Sequence, residues 1–187
     1  GQWLGTWTPT HPVSTMPEGV AIQLPAGGKV AIEIGYRGTT EDARGAGELG
    51  LYFADRKPAL VASALEISAA PMTVAAGKTH ERIRTEHTLK SATTAAALWP
   101  NVGAGATSVE VTALRPDGVV EPLLWLKDYR PDWPSSYVFE QPVTLPAGTR
   151  LAVTAYYDNA GDTPLRARPS LSITAFPPSR PPASLAR

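Results

Sequence analysis

The sequence predicts an all-β protein, an antiparallel β-sandwich of two sheets, on three observations. Its 19 Pro and 16 Gly are scattered between short apolar runs across 187 residues, a punctuation of many turns that disfavours long helices. Several runs alternate apolar and polar residues with period two, the pattern of half-buried strands. A Leu24-Pro-Ala-Gly27 corner recurs as Leu145-Pro-Ala-Gly148, with a weaker echo at Val74-Ala-Ala-Gly77. Proline fixes φ and glycine frees it, so each corner turns the chain into a following strand. Repeated corners of this kind suit a jelly roll, whose strands switch sheets.

Length and composition bound the rest. The chain is long enough to bury a core, and 43% hydrophobic with 18% charged residues is ordinary for a globular domain. Seventeen Lys plus Arg balance seventeen Asp plus Glu, so no net field points to nucleic acid. Cysteine is absent, which removes disulfides, Cys-ligated metal and a thiol nucleophile together. No apolar run approaches the roughly 20 residues of a membrane span, so no membrane insertion is expected. The opening Gly1-Gln2-Trp3 reads as a piece cut from a longer precursor, with a leader or upstream domain before it.

In chain order, residues 1–19 form a Pro-, Thr- and Trp-rich extended leading segment, residues 20–176 one sandwich domain, and residues 177–187 a Pro-rich tail or linker. Val20–Leu24 is a short apolar run. Lys29–Tyr36 alternates cleanly and predicts a strand, as does Glu48–Ala54; the polar loop between them carries Glu41-Asp42, whose bland role is solubility. Leu65–Val74 holds two short strands. His80–His87 is heavily charged and suits an edge strand. Ala92–Trp99 is read as a buried strand despite its alanines. Thr107–Leu114 and Val119–Leu126 flank Pro116-Asp117-Gly118 and predict a hairpin. Arg150–Tyr157 and Ser170–Phe176 complete the ordered part.

The order Leu24-Pro-Ala-Gly27, Ile32-Glu-Ile-Gly-Tyr36, Gly50-Leu-Tyr-Phe53, Trp99-Pro-Asn-Val-Gly103, Trp133, Tyr137 and Tyr156-Tyr-Asp-Asn159 resembles the C-terminal domain of the copper type II, ascorbate-dependent monooxygenases. The resemblance spans about Gly5 to Pro164. It implies a jelly-roll sandwich, an exported bacterial setting and, where the family's ligands are kept, copper. Here they are not kept. The positions that carry histidine in the family read Gly35, Asn101 and Gly103, and the only methionines, Met16 and Met72, stand far upstream of the family's ligand Met. Copper takes imidazole and thioether donors, which an Asn amide and a Gly hydrogen do not replace.

The expected function is therefore a non-catalytic, copper-free binding or structural module with no cofactor, whose partner is a small ligand or a neighbouring domain or protein. Two rivals stand beside it: a copper monooxygenase whose ligands come from elsewhere, and a carbohydrate-binding or glycan-processing sandwich. Trp99, Trp125, Tyr129 and Trp133 are the candidate ligand-binding aromatics, since flat rings with polar tips suit sugars and peptides; their alternative role is core packing. His80 and His87, on one strand, would point to opposite sides and make a poor metal pair, and His11 has no nearby ligand partner. Tyr157-Asp158-Asn159 with Asp162 could suggest calcium, but Asx residues at a strand exit more often bond backbone. Gly103-Ala-Gly-Ala106 lacks the Lys-Ser/Thr of a phosphate loop and reads as a flexible turn.

Overall fold

Alternating apolar residues commit most of this chain to strands. The structure, a computed structural model, describes residues 3–7, 15–34, 47–131, 133 and 135–178. Among these it has no helix and eleven strands: β1 Val20–Ile22, β2 Leu60–Ser68, β3 Met72–Val74, β4 Glu81–Thr88, β5 Thr93–Asn101, β6 Ala106–Leu114, β7 Val120–Leu126, β8 Tyr137–Leu145, β9 Arg150–Tyr157, β10 Leu165–Ala167 and β11 Ser170–Phe176. A five-stranded sheet runs β1-β2-β11-β5-β8, a four-stranded sheet runs β4-β9-β6-β7, and β3 with β10 forms a short ribbon.

The two larger sheets share one core. Leu98, Leu171 and Ile173 of the five-stranded sheet cluster with Ile83, Val109, Val111 and Val153 of the four-stranded sheet, all at 1% exposure or less. Alternation decides which residues enter it: Val109, Val111 and Ala113 of β6 point inward, while Glu110 and Thr112 between them remain partly exposed. β4 closes one edge of its sheet with Arg82, Arg84 and Glu86 exposed, charges that deter pairing with another chain. A second, smaller cluster lies apart from the main core: Ala62, Ala96 and Phe176 pack with Met16, Val20, Ile22 and Leu60.

The three corners are one kind of turn. Gly28, Lys78 and Thr149 donate their N–H to the carbonyls of Pro25, Ala75 and Pro146 at 3.0, 3.3 and 3.2 Å. The third residue of each turn is a glycine at positive φ, Gly27 at 72°, Gly77 at 69° and Gly148 at 83°, as a type II turn requires. The Pro116-Asp117-Gly118 hairpin also forms, with Gly118 at φ 88° and Arg115 donating to the Val119 carbonyl at 2.8 Å.

Several expectations are corrected. Lys29–Ile34 and Glu48–Ala54 are not strands, and their Val30, Ile32, Ile34, Leu49, Leu51 and Phe53 are exposed; the remainder of the first segment lies outside the described residues. Alternation marks a segment fit for a sheet, but a strand also needs a ladder partner, and neither segment pairs with a strand among the described residues. The sandwich is not wholly antiparallel, because β1 pairs with β2 in parallel, which the long connection from Ile22 to Leu60 permits. His80 precedes β4 at φ 56° instead of sharing a strand with His87. The Gly103–Ala106 stretch is a turn, as expected, and it is packed: a Cβ on Gly105 would overlap Leu165 Cδ2 and come within 3.1 Å of the Asp158 carbonyl oxygen. β2 extends well before Leu65, and β8 and β10 are strands that alternation did not pick out.

Candidate functional site

β5 ends in the corner that bears Asn101 and Gly103, two of the three positions that the resemblance singles out. Pro100 is buried, Asn101 is exposed, and Val102 faces inward at 1% exposure. Gly103 then adopts φ 76°, a left-handed conformation that glycine takes without a Cβ penalty. Every carbonyl from 100 to 102 has a side-chain donor. Tyr129 donates to Pro100 at 3.3 Å, Ser170 Oγ to Asn101 at 3.0 Å, and Tyr157 to Val102 at 2.7 Å. Burial pushes the phenols of Tyr129 and Tyr157 above their usual 10.0, and each lies close enough to the other or to Tyr137 to reinforce the shift; both are therefore neutral donors at physiological pH. The corner thus offers an amide at Asn101, no side chain at Gly103 and no imidazole. Gly35, the third of these positions, lies outside the described residues, as do His11, Glu41, Asp42 and Asp132.

The candidate aromatics are not brought to one face. Trp99 pairs with Ser172 on the outer side of the five-stranded sheet. Trp125 pairs with Glu110 on the outer side of the other sheet, 68% exposed, with Lys127 Nζ 4.6 Å from its ring centroid. The core separates these two surfaces. Tyr129 is buried at 8% and belongs to that core, while Trp133 is 40% exposed in the β7–β8 connection, its N–H bonded to the Arg130 carbonyl at 2.9 Å. A shared platform of the four is excluded by the strand positions.

The polar candidates are absorbed by the fold. Asn159 Nδ2 donates to the carbonyls of Val74, Ala75 and Thr163 at 3.1, 3.1 and 2.9 Å, and its Oδ1 accepts from the Gly161 N–H at 3.3 Å. Asp158 Oδ1 accepts the His80 N–H at 2.6 Å. These are backbone-clamping roles of the kind Asx side chains take at a strand exit. The His80 ring stacks on Tyr156, 4.6 Å between centroids. His87 is partly buried on β4. Among the described residues no three His, Asp or Glu side chains are grouped to hold a metal ion.

Two features escaped the sequence reading. Trp3 lies flat on Trp99, 5.0 Å between centroids and 2° from coplanar. A shallow apolar groove of about 210 Å³ runs beside Thr15–Pro17, against Ala96, Ala97, Val138 and Pro142. Both involve the N-terminal segment and the outer side of the same sheet; the cluster of Trp residues at 3 and 7 was the only hint of the first. No family model matches the sequence, and no curated protein matches it.

Proposed function

We propose that this chain is a non-catalytic, copper-free β-sandwich related to the monooxygenase C-terminal domain, serving as a binding or structural module of an exported bacterial protein. Its partner is a neighbouring domain, a protein or a small ligand, and neither nucleic acid nor a membrane interior. The proposal includes jelly-roll topology. In its favour, the sheet orders β2-β11-β5-β8 and β4-β9-β6-β7 interleave strands distant in sequence, as two Greek keys do.

One observation carries the functional reading. The Pro100–Gly103 corner, where the resemblance implies copper chemistry, is committed to structure: its carbonyls are held by Tyr129, Ser170 and Tyr157, and position 103 is a left-handed glycine. The residues present do not fit a copper ion, whose affinity comes from imidazole and thioether donors.

The test is a copper titration of the full chain with bound metal counted, under oxidising and ascorbate-reduced conditions. The expected result is weak binding of the kind exposed histidines give, lost in His80→Ala and His87→Ala. Stoichiometric copper that survives both substitutions would overturn the proposal and return the monooxygenase reading.

A further inference from the structure

The outer side of the five-stranded sheet has a floor of small side chains with one large ring at its border. Ala64, Thr174 and Ala97 lie in register across β2, β11 and β5, and the adjoining row is Glu66, Ser172 and Trp99. The polar end of that row satisfies itself, Ser172 Oγ bonding Glu66 Oε1 at 2.5 Å. The Trp99 end does not. Its Nε1 is buried and has no hydrogen-bond partner among the described residues, and a buried unmet donor is costly until an acceptor arrives. A peptide carbonyl is such an acceptor.

The face already shows what fits it. Trp3 stacks on Trp99, in the centroid range where paired aromatic rings attract beyond their buried area. Trp3, Leu4 and Thr6 are partly buried while Trp7 is 66% exposed. None of residues 3–7 belongs to a strand, so the stack is a side-chain attachment and not part of a sheet ladder. The apolar groove beside Ala96 and Ala97 adjoins the same floor.

We propose that the Trp99 face is a docking site for a tryptophan-bearing peptide segment of a partner protein, and that the chain's own Trp3–Trp7 segment fills it in cis. The inference rests on the reading of this chain as a binding module and names its site. A tethered segment acts at an effective concentration near the millimolar range, so a partner gains access when Trp3 leaves or when its own segment binds more tightly. The ring supplies a flat anchor and the small residues let a backbone approach; the chain's own segment leaves the buried indole N–H without an acceptor, so a partner segment that brings a carbonyl to it has the advantage.

The test follows the Trp99 indole N–H resonance by NMR in the full chain, assigned through Trp99→Phe. A ring stacked on Trp99 shifts that resonance, so Trp3→Ala should move it. Adding a peptide of the sequence Gly1–Trp7 to the Trp3→Ala protein should return it saturably. The same peptide with its tryptophan at position 3 replaced by alanine should bind roughly tenfold more weakly, the worth of one stacked aromatic pair. Unchanged far-UV circular dichroism verifies folding, and Trp3→Phe serves if Trp3→Ala misfolds. A resonance indifferent to Trp3→Ala, or a peptide without effect, would overturn the proposal. So would a dimer of the native chain that Trp3→Ala dissolves, because the occupant would then be a second copy. None of these readouts involves copper, so this inference and the copper-free reading fail separately.

Discussion

The Tyr157 hydroxyl donates to the Val102 carbonyl at 2.7 Å, joining the end of β9 in one sheet to the end of β5 in the other. Tyr157 has 0% exposure and Val102 has 1%. The bond is thus sealed from water, and it holds the corner that carries Asn101 and Gly103.

Tyr157→Phe keeps the ring and strands the Val102 carbonyl, so it should destabilise the fold by about 1–3 kcal/mol, read as a lower denaturant midpoint. Tyr129→Phe should cost less, since its bond to Pro100 is longer at 3.3 Å. The same burial sets a pH dependence. The folded phenol is raised above 10.0, so the native state holds its proton where the unfolded chain has begun to lose it. That stability is complete below pH 10 and is lost as pH rises beyond it. Denaturant midpoints taken upward from neutral pH should fall in the alkaline range, and less steeply in Tyr157→Phe. An identical alkaline slope in the two proteins would contradict the assignment.

Two glycines two residues apart should respond differently to alanine. Gly103 and Gly105 both sit at φ 76°, but a Cβ at 103 meets nothing within 4 Å, whereas one at 105 overlaps Leu165 and presses on the Asp158 carbonyl oxygen. Gly103→Ala pays only left-handed strain, roughly 1 kcal/mol. Gly105→Ala adds steric displacement in a packed corner and should cost roughly 3 kcal/mol. Thermal or denaturant unfolding of the pair checks the ranking, and equal losses would refute it.

Alternation made much of the fold legible. Arg150–Tyr157 and Ser170–Phe176 match β9 and β11 end to end, and the β6–β7 hairpin followed from Pro116-Asp117-Gly118. β8 was hidden because Pro142 lies within it and Glu140 and Gln141 break its pattern, features that an edge strand tolerates. The opposite error occurred at Val30–Ile34, where a clean period two found no ladder partner. The site divides similarly. That Asn101 and Gly103 carry no imidazole is plain from residue type alone. That Tyr157 holds Val102, or that Trp3 covers Trp99, depends on which strands meet, and no local pattern encodes it.

Asn159 provides the sharpest check on the polar clamp. Its amide N–H groups serve Val74, Ala75 and Thr163, tying the β9 exit to the β3 end and to the loop before β10. Asn159→Ala leaves those carbonyls without their donor and should destabilise by roughly 1–3 kcal/mol. Asn159→Asp is nearly the same shape but should be worse at neutral pH, because a carboxylate would face three carbonyl oxygens and donate nothing. That repulsion raises the folded carboxyl above the ordinary aspartate range of about 4, so the charge deficit should shrink as pH falls toward about 4 and be gone below it. Stability of the two variants measured at neutral and acidic pH separates the readings. If Asn159→Asp instead gained stability on adding calcium at neutral pH, the segment would be a latent cation site and the clamp would be only part of its role.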